Sequence, residues 1–217
     1  VTEAKDLVRR FETKDYTLPA VRASGSVPRL FLRRLVNGLH EIAPLRDREA
    51  LFIQIALPLV ARANAEILAQ RKMLLALGAA RTRGETLSPD QTAWLSRLAK
   101  RYGGHPEETD ELLRRVDAVP ASLAISQAID ESAWGTAHLA LQSNGMFGQH
   151  APSGLGRRSL HVAGANVDVA AFPSLLDGVL AYMTNINRNR AYAALRKVRA
   201  RHRQAGKRAS GLALAEG

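Results

Sequence analysis

Glu131 is a candidate general acid. Three residues share its side of a helix, three, four and seven positions earlier: Ala128, Gln127 and Ala124. Small or neutral neighbours, with Trp134 close by in the sequence, solvate a carboxylate poorly. Poor solvation raises the pKa of a carboxyl group, which is the property that a general acid needs near neutral pH. The alternative is an ordinary helix-surface residue beside Asp130, and the spacing by itself favours that alternative.

A glycine-rich run follows Glu131. Gly135 comes first, and the stretch Asn144–Gln149 then places Gly145 and Gly148 around Phe147. Glycine lets the backbone approach a ligand closely, and an exposed Phe can line a sugar subsite. The same run is also compatible with a tight turn around a buried Phe.

The composition favours helices as the elements that position these residues. Apolar residues make up 46% of the 217 residues and aromatic residues only 5%, whereas a β-sandwich or barrel needs more β-branched and aromatic residues. The strongest helical pattern covers residues 48–77, where apolar residues recur at three- and four-residue steps. Pro58 should start a new helix or kink this one, and Gly78 should end it. Ser88 to Gln91 has the pattern of a helix start.

The remaining segments complete a mainly α fold class. Residues 1–28 are predicted to form an arm with a short helix near Ala4–Phe11, and apolar residues recur at helical spacing from Arg29 to Leu39. A helix is predicted from Ala121 to about Trp134, with a break at Gly135. The alternating run Asn166–Phe172 predicts a small hairpin.

Several kinds of chemistry have no support in the sequence. The chain has no cysteine, which excludes disulfides and thiol catalysis. Its six histidines show no paired metal-ligand spacing, and Ser132 and Ser143 lack the surroundings of a nucleophilic serine. We therefore predict no metal and no cofactor. The longest apolar run, around Leu51–Val60, is too short and too polar to span a membrane.

The net charge of +11 indicates attraction to polyanions. Seven basic residues and no acidic residue lie between Arg196 and Arg208. This cluster is interpreted as a solvated basic tail or, alternatively, as a tether to an anionic surface. Nucleic-acid binding is disfavoured, because the cluster lacks interleaved aromatic residues and no DNA-reading helix pair is recognisable.

Four stretches resemble, in the same order, the sequence pattern of the glucosaminidase-domain family. That family includes Bax-like and flagellar-type peptidoglycan hydrolases and is similar to glycoside hydrolase family 73. Residues 57–68 resemble the extra helix of the Bax-like subgroup, and residues 124–136 resemble a helix ending in Glu-Ser-x-Trp-Gly-Thr/Ser. Residues 144–148 resemble Asn-Asn-x-Phe-Gly, and residues 182–196 resemble a closing Tyr-x-x-Asn-Leu-Asn with Ala-Tyr-x-x-Leu-Arg. The resemblance covers roughly residues 27–198.

The resemblance implies a lysozyme-like helical fold with a small β-lobe beside a glycan groove. Glu131 would be the general acid that protonates the glycosidic oxygen. Tyr192 would lie beside the scissile bond and position the N-acetyl group or a water, and Trp134 would pack behind the catalytic helix. The implied substrate-binding residues are Gln127, Asn144, Phe147, Gly148, Tyr182 and Asn185.

The second catalytic group is less well defined by the motifs. A carboxylate partner would lie about 5–5.5 Å from the acid in a retaining enzyme and roughly 6.5–9.5 Å in an inverting one. The predicted lobe, His150–Phe172, contains a single acidic residue, Asp168. Asp168 is therefore the candidate base or nucleophile, with a surface residue in a hairpin as the alternative. Attack by the substrate's own acetamido group, oriented by Tyr192, is the other route.

Three positions depart from the family pattern. Asp130 replaces a small or apolar residue, Ala133 stands where Gly is frequent, and Gly145 replaces the second Asn. None of these changes removes a catalytic group, although Asp130 could alter the pKa of the acid if it lies close.

The predicted function is cleavage of peptidoglycan glycan strands by an (endo-)β-N-acetylglucosaminidase, with muramidase specificity left open. The alternative is a non-catalytic glycan-binding module of the same fold. We expect a monomer in the periplasm, cell envelope or medium, attracted to the anionic envelope surface, although this chain begins without a hydrophobic signal core. The predicted organisation is an arm at 1–28, a glucosaminidase domain with added N-terminal helices at 29–198, and a basic tail at 199–217.

Overall fold

The computed structural model describes residues 2–150, 159–161, 168–207 and 211. The helices are α1 (Ala4–Glu12), α2 (Leu18–Ser24), α3 (Leu45–Thr82), α4 (Pro89–Tyr102), α5 (Thr109–Arg115), α6 (Ala121–Ser132), α7 (His138–Ser143), α8 (Leu175–Arg188) and α9 (Ala193–Gln204). Single 3₁₀ turns lie at Leu39–Glu41 and Arg190–Tyr192. Strands β1 (Ser159–His161) and β2 (Asp168–Ala170) pair antiparallel, with Leu160 opposite Val169. The predictions of a mainly α, lysozyme-like fold and of a hairpin near Asp168 are confirmed.

The chain forms two compact units. The first comprises Val1–Ala61 and Ala124–Tyr182, and the second comprises Arg62–Leu123 and Met183–Gly217. Helices α3, α6 and α8 each contribute residues to both units. The predicted boundaries of arm, domain and tail stay predictions, and residues 151–158, 162–167, 208–210 and 212–217 of the predicted lobe and tail lie outside the described part of the chain.

Helix α3 is longer than predicted. It continues through Pro58 and through Gly78 to Thr82, so a new helix starting at Pro58 and an end at Gly78 are both wrong, whereas a kink at Pro58 stays a prediction. Pro58 lacks the N–H that would donate to the Gln54 carbonyl, and the Tyr16 hydroxyl donates to that oxygen instead, at 3.0 Å. A Cβ at Gly78 would lie 2.7 Å from Cγ2 of Thr109. The glycine therefore allows close packing of α3 against the start of α5 and does not end the helix.

The length and composition of α3 would allow it to cross a membrane, and half of its most apolar window is buried inside the protein. Its residues Phe52, Ile55, Leu59 and Ala63 are completely buried. Such burial is typical of the core helix of a folded domain.

The N-terminal segment is packed closely within the first unit. Leu7 and Phe11 of α1, together with Tyr16, are buried, and the predicted short helix near Ala4–Phe11 is confirmed. The helical spacing from Arg29 to Leu39 does not form a helix. Asn37 exchanges backbone hydrogen bonds with Thr2 and Ala4 at 2.8 and 2.9 Å, so this stretch pairs with the N-terminus as extended chain.

The second unit contains a buried arginine cluster. Arg199 of α9 is 4% exposed, and its guanidinium donates to the carbonyl oxygens of Arg114 and Ala118 and to Oδ1 of Asn187 at 2.7–3.1 Å. Burial lowers the pKa of Arg199 to about 10, while the Asp117 carboxylate acts in the opposite direction. Arg196 is also buried, so the expectation of a solvated basic cluster is wrong for these two arginines. The Arg199 guanidinium satisfies carbonyl oxygens at the end of α5.

Candidate active site

A sharp turn follows Glu131 at the end of α6. The helix ends at Ser132, two residues before the predicted end. Ser132 Oγ accepts a hydrogen bond from the Gly135 N–H at 2.9 Å, and three consecutive residues, Ala133, Trp134 and Gly135, have φ of 48°, 59° and 74°. Ala133 and Trp134 are strained in this left-handed region, which only glycine adopts freely. The turn therefore positions the last residues of α6 at the cost of local strain.

Aromatic packing holds this turn in place. The Trp134 ring contacts the edge of Phe52, with centroids 6.1 Å apart and planes at 77°. A Cβ at Gly135 would lie 2.9 Å from Phe52 and 3.0 Å from Leu39, so no larger side chain fits. Trp134 thus packs against the core helix α3, on the pattern expected for a residue that supports α6 from behind.

Glu131 lies directly against Gly148. A Cβ built on Gly148 would overlap Oε2 of Glu131 and would lie 3.4 Å from its Cδ, and Gly148 itself has φ of 53°. Ala124 and Ala128 are buried, whereas the Glu131 side chain is exposed, so its carboxylate is more accessible to solvent than the sequence predicted. Glycine at this position allows the 144–149 run to reach the carboxylate.

The backbone of the 144–149 run is fixed by the neighbouring strand. Asn144 is buried with φ of 53°, and its Nδ2 donates to the Phe172 carbonyl at 2.9 Å. The Gly145 N–H donates to Ser143 Oγ at 3.0 Å, and the Gln149 carbonyl accepts from Ala170 N–H of β2 at 2.8 Å. The run therefore has a defined conformation before any substrate binds.

Phe147 is part of the core at this site. Its ring is 6% exposed and stacks on Tyr182 of α8, with centroids 3.9 Å apart and planes at 4°. Of the two interpretations of this run, the turn around a buried Phe is confirmed. The Tyr182 hydroxyl in turn donates to Oε1 of Gln127 on α6. Phe147 and Tyr182 thus link the 144–149 run to the face of α6 that carries Gln127 and Glu131.

Gln149 is a residue that the sequence did not single out. In the amide orientation that satisfies both neighbours, its Nε2 donates to the Gly178 carbonyl at 3.2 Å and its Oε1 accepts from the Tyr182 N–H at 3.1 Å. It therefore fastens the end of the run to α8. Its position directly after Gly148 is the signal that could have identified it.

The other predicted site residues occupy separate positions. Asp168 is exposed at the start of β2, opposite His161 in the strand register. Asn185 and Tyr192 belong to the second unit, where Asn185 is exposed on α8 and Tyr192 is half-buried at the end of the 190–192 turn. Their roles stay predictions. Within the described ranges, no group of three His, Asp or Glu side chains could hold a metal ion.

Comparison with known proteins identifies the class. Residues 107–214 match the glucosaminidase family model, described as mannosyl-glycoprotein endo-beta-N-acetylglucosaminidase. The chain belongs to the glucosaminidase-domain family.

Among individual proteins, the chain is 33% identical over 173 residues to Protein bax of Escherichia coli (strain K12). The alignment covers 77% of this chain and 61% of that relative's length. No solved structure matches significantly.

Proposed function

We propose that this protein hydrolyses the glycan strands of peptidoglycan as an endo-β-N-acetylglucosaminidase, with Glu131 as the general acid. The observation that carries the proposal is the placement of the exposed Glu131 carboxylate against the left-handed Gly148, within the segment that matches the glucosaminidase family. The carboxylate is accessible to a large polymer and is held between two backbone turns of defined geometry. Membership of a family described by glucosaminidase activity supports the same reaction.

Glu131 would donate its proton to the glycosidic oxygen as the bond from that oxygen to the anomeric carbon breaks. The positive charge that develops on the sugar ring requires an electron-rich partner. Asp168 would supply it as nucleophile or base, or the acetamido oxygen of the substrate would attack the anomeric carbon. Tyr192 would then orient the acetamido group or a water, a role that rests on the family resemblance alone.

The buried positions of Phe147 and Asn144 favour a supporting role for these residues. Phe147 holds Tyr182, and Tyr182 holds Gln127 one helical turn before Glu131. Gln127 is half-exposed on the same side of α6 and would present its amide to the sugar. Gly148 and Asn185 complete the proposed substrate-binding set, which includes no metal or other cofactor.

The experiment is product analysis by mass spectrometry after incubation of purified peptidoglycan with wild type and with Glu131→Gln. We expect wild type to release fragments with N-acetylglucosamine at the reducing end and Glu131→Gln to release at least about a hundredfold less, the usual scale for loss of a general acid. The matched control is Asp130→Asn, which removes the adjacent exposed carboxylate and should leave activity within about threefold of wild type.

Other outcomes would contradict the proposal in identifiable ways. Full activity in Glu131→Gln would exclude it as the acid, and N-acetylmuramic acid at the reducing ends would make the protein a muramidase. Binding to insoluble peptidoglycan without any released fragment would support the glycan-binding module instead. A periplasmic or envelope location, a monomeric state and no interaction with nucleic acid are parts of the same proposal.

A further inference from the structure

A cleft with an apolar floor and a basic rim lies in the first unit. It has a volume of about 490 Å³, which is within the range of small-molecule pockets. Its apolar lining comes from Leu7, Phe11, Leu30, Leu32, Leu35 and Leu141. Arg10, Arg33 and Arg34 line it as well, and no Asp or Glu of the described residues does.

The three arginines are available for an external anion. Arg10, Arg33 and Arg34 are exposed, and none forms an ion pair with a described residue. By contrast, Arg9 and Lys5 of the same N-terminal helix pair with Asp6 and Glu41 at 2.8 and 3.1 Å. Three unpaired positive charges therefore lie at the cleft.

The segment Arg29–Arg34 places an apolar triplet between these charges. Phe31 is 44% exposed, although it is a large aromatic side chain, and Leu30 and Leu32 are half-exposed beside it. The segment is held in position, since the Arg33 carbonyl accepts from the Leu175 N–H at 3.0 Å and Leu35 and Val36 are buried. An exposed aromatic flanked by arginines on a fixed backbone suits an interface with an apolar interior and an anionic surface.

We propose that this surface, formed by Arg29–Arg34 with Arg10 and the adjoining cleft, binds the headgroup region of an anionic phospholipid membrane. Phe31 and Leu30 enter the boundary between headgroups and acyl chains, the arginines contact lipid phosphates, and the cleft accepts part of one lipid chain. The charge complementarity selects anionic over zwitterionic lipid. The interaction would hold the protein at a membrane surface.

The test is sedimentation of the protein with vesicles of phosphatidylglycerol and phosphatidylcholine, compared with vesicles of phosphatidylcholine alone. We expect binding to the anionic vesicles only. Each basic residue near an anionic surface strengthens binding by about fivefold, so Arg33→Ala/Arg34→Ala should weaken it by about 25-fold. Phe31→Ser should weaken it by about tenfold or more, since an inserted aromatic is lost.

Matched controls separate this surface from the overall positive charge. Arg97→Ala/Lys100→Ala removes two exposed charges from α4, and Met73→Ser removes an exposed apolar side chain from α3. Both should bind like wild type. An equal loss in Arg33→Ala/Arg34→Ala and in the α4 control would overturn the proposal, as would full binding by Phe31→Ser.

Two further measurements distinguish other occupants of the cleft. Light scattering of wild type that shows a dimer, with a monomer in Phe31→Ser, would assign the surface to a second copy and overturn the proposal. Millimolar glycerol phosphate that removes the protein from the vesicles would show a headgroup site without membrane insertion, which would also overturn it. Circular dichroism of each variant confirms folding, so that loss of binding reports on the surface.

Discussion

The carboxylate of Glu131 occupies the space that a side chain at residue 148 would need. Position 148 therefore requires glycine for two separate reasons. Its φ of 53° disfavours other residues, and a Cβ there would overlap Oε2 of Glu131. The two residues are seventeen positions apart, and their contact joins the end of α6 to the glycine-rich run.

Gly148→Ala should displace the Glu131 side chain and lower the rate of peptidoglycan hydrolysis by about a hundredfold, the effect of a small misplacement of a catalytic group. The left-handed conformation alone costs about 1–2 kcal/mol of folding stability. The control is Gly84→Ala, because Gly84 has φ of 79° and a methyl group on its Cα would meet no atom within 4 Å. Thermal melts and product release are measured on both. An equal loss of activity in both variants would show that backbone strain, rather than the Glu131 contact, matters.

Asp168→Asn tests the second catalytic group. If Asp168 is the nucleophile or base, this change should lower kcat by at least about a hundredfold with little change in KM. Proton NMR of the first product formed then gives the anomeric configuration, which is retained for a nucleophile and inverted for a base. Activity within a few-fold of wild type together with retention would assign attack to the acetamido group and exclude Asp168.

The Tyr16 hydroxyl replaces the hydrogen bond that Pro58 cannot make in α3. Tyr16→Phe should lower the free energy of unfolding by about 1–3 kcal/mol, because the Gln54 carbonyl loses its donor. Pro58→Ala restores an N–H at this position, so Tyr16→Phe should cost less in that background. Chemical denaturation of the four proteins of this double-mutant cycle measures the coupling. Additive effects would mean that the two groups do not share this carbonyl.

Tyr102 should contribute a fall in stability as the pH rises above about 10. Burial raises the pKa of Tyr102 to about 12, and its hydroxyl donates to Oε1 of Gln70 at 2.8 Å. The folded protein therefore binds a proton that the unfolded chain, with a pKa near 10.0, has lost. The resulting contribution is complete below the unfolded pKa and is lost as the pH rises towards 12, by up to about 2–3 kcal/mol.

Denaturation curves at pH 9 to 11 measure this dependence, in wild type and in Tyr102→Phe. The variant should show a shallower decline with pH, although it starts less stable. Parallel declines in the two proteins would assign the alkaline loss to other groups.

Local patterns in the sequence predicted much of the helical structure. The helix start predicted at Ser88 to Gln91 is present as a capping box, because capping depends on residues within one turn of the helix. The same reasoning failed at Pro58, where the helix does not restart. The carbonyl of Gln54, which Pro58 leaves without its usual donor, accepts from the Tyr16 hydroxyl. Tyr16 lies thirty-eight positions from Gln54 in the chain, a separation that local rules do not consider. The reasoning failed again at Arg29–Leu39, where pairing with the N-terminus replaces a helix.

The sequence by itself determined the helical class and the family resemblance, and it is the basis for proposing Glu131 as the acid, because all three depend on residue types at short spacing. Only the tertiary structure decided that Phe147 is buried on Tyr182, that Arg196 and Arg199 are structural, and that Gly148 lies against Glu131. Each of these facts depends on which distant segments meet. Burial and contact are properties of the packed chain, and periodicity along one element cannot supply them.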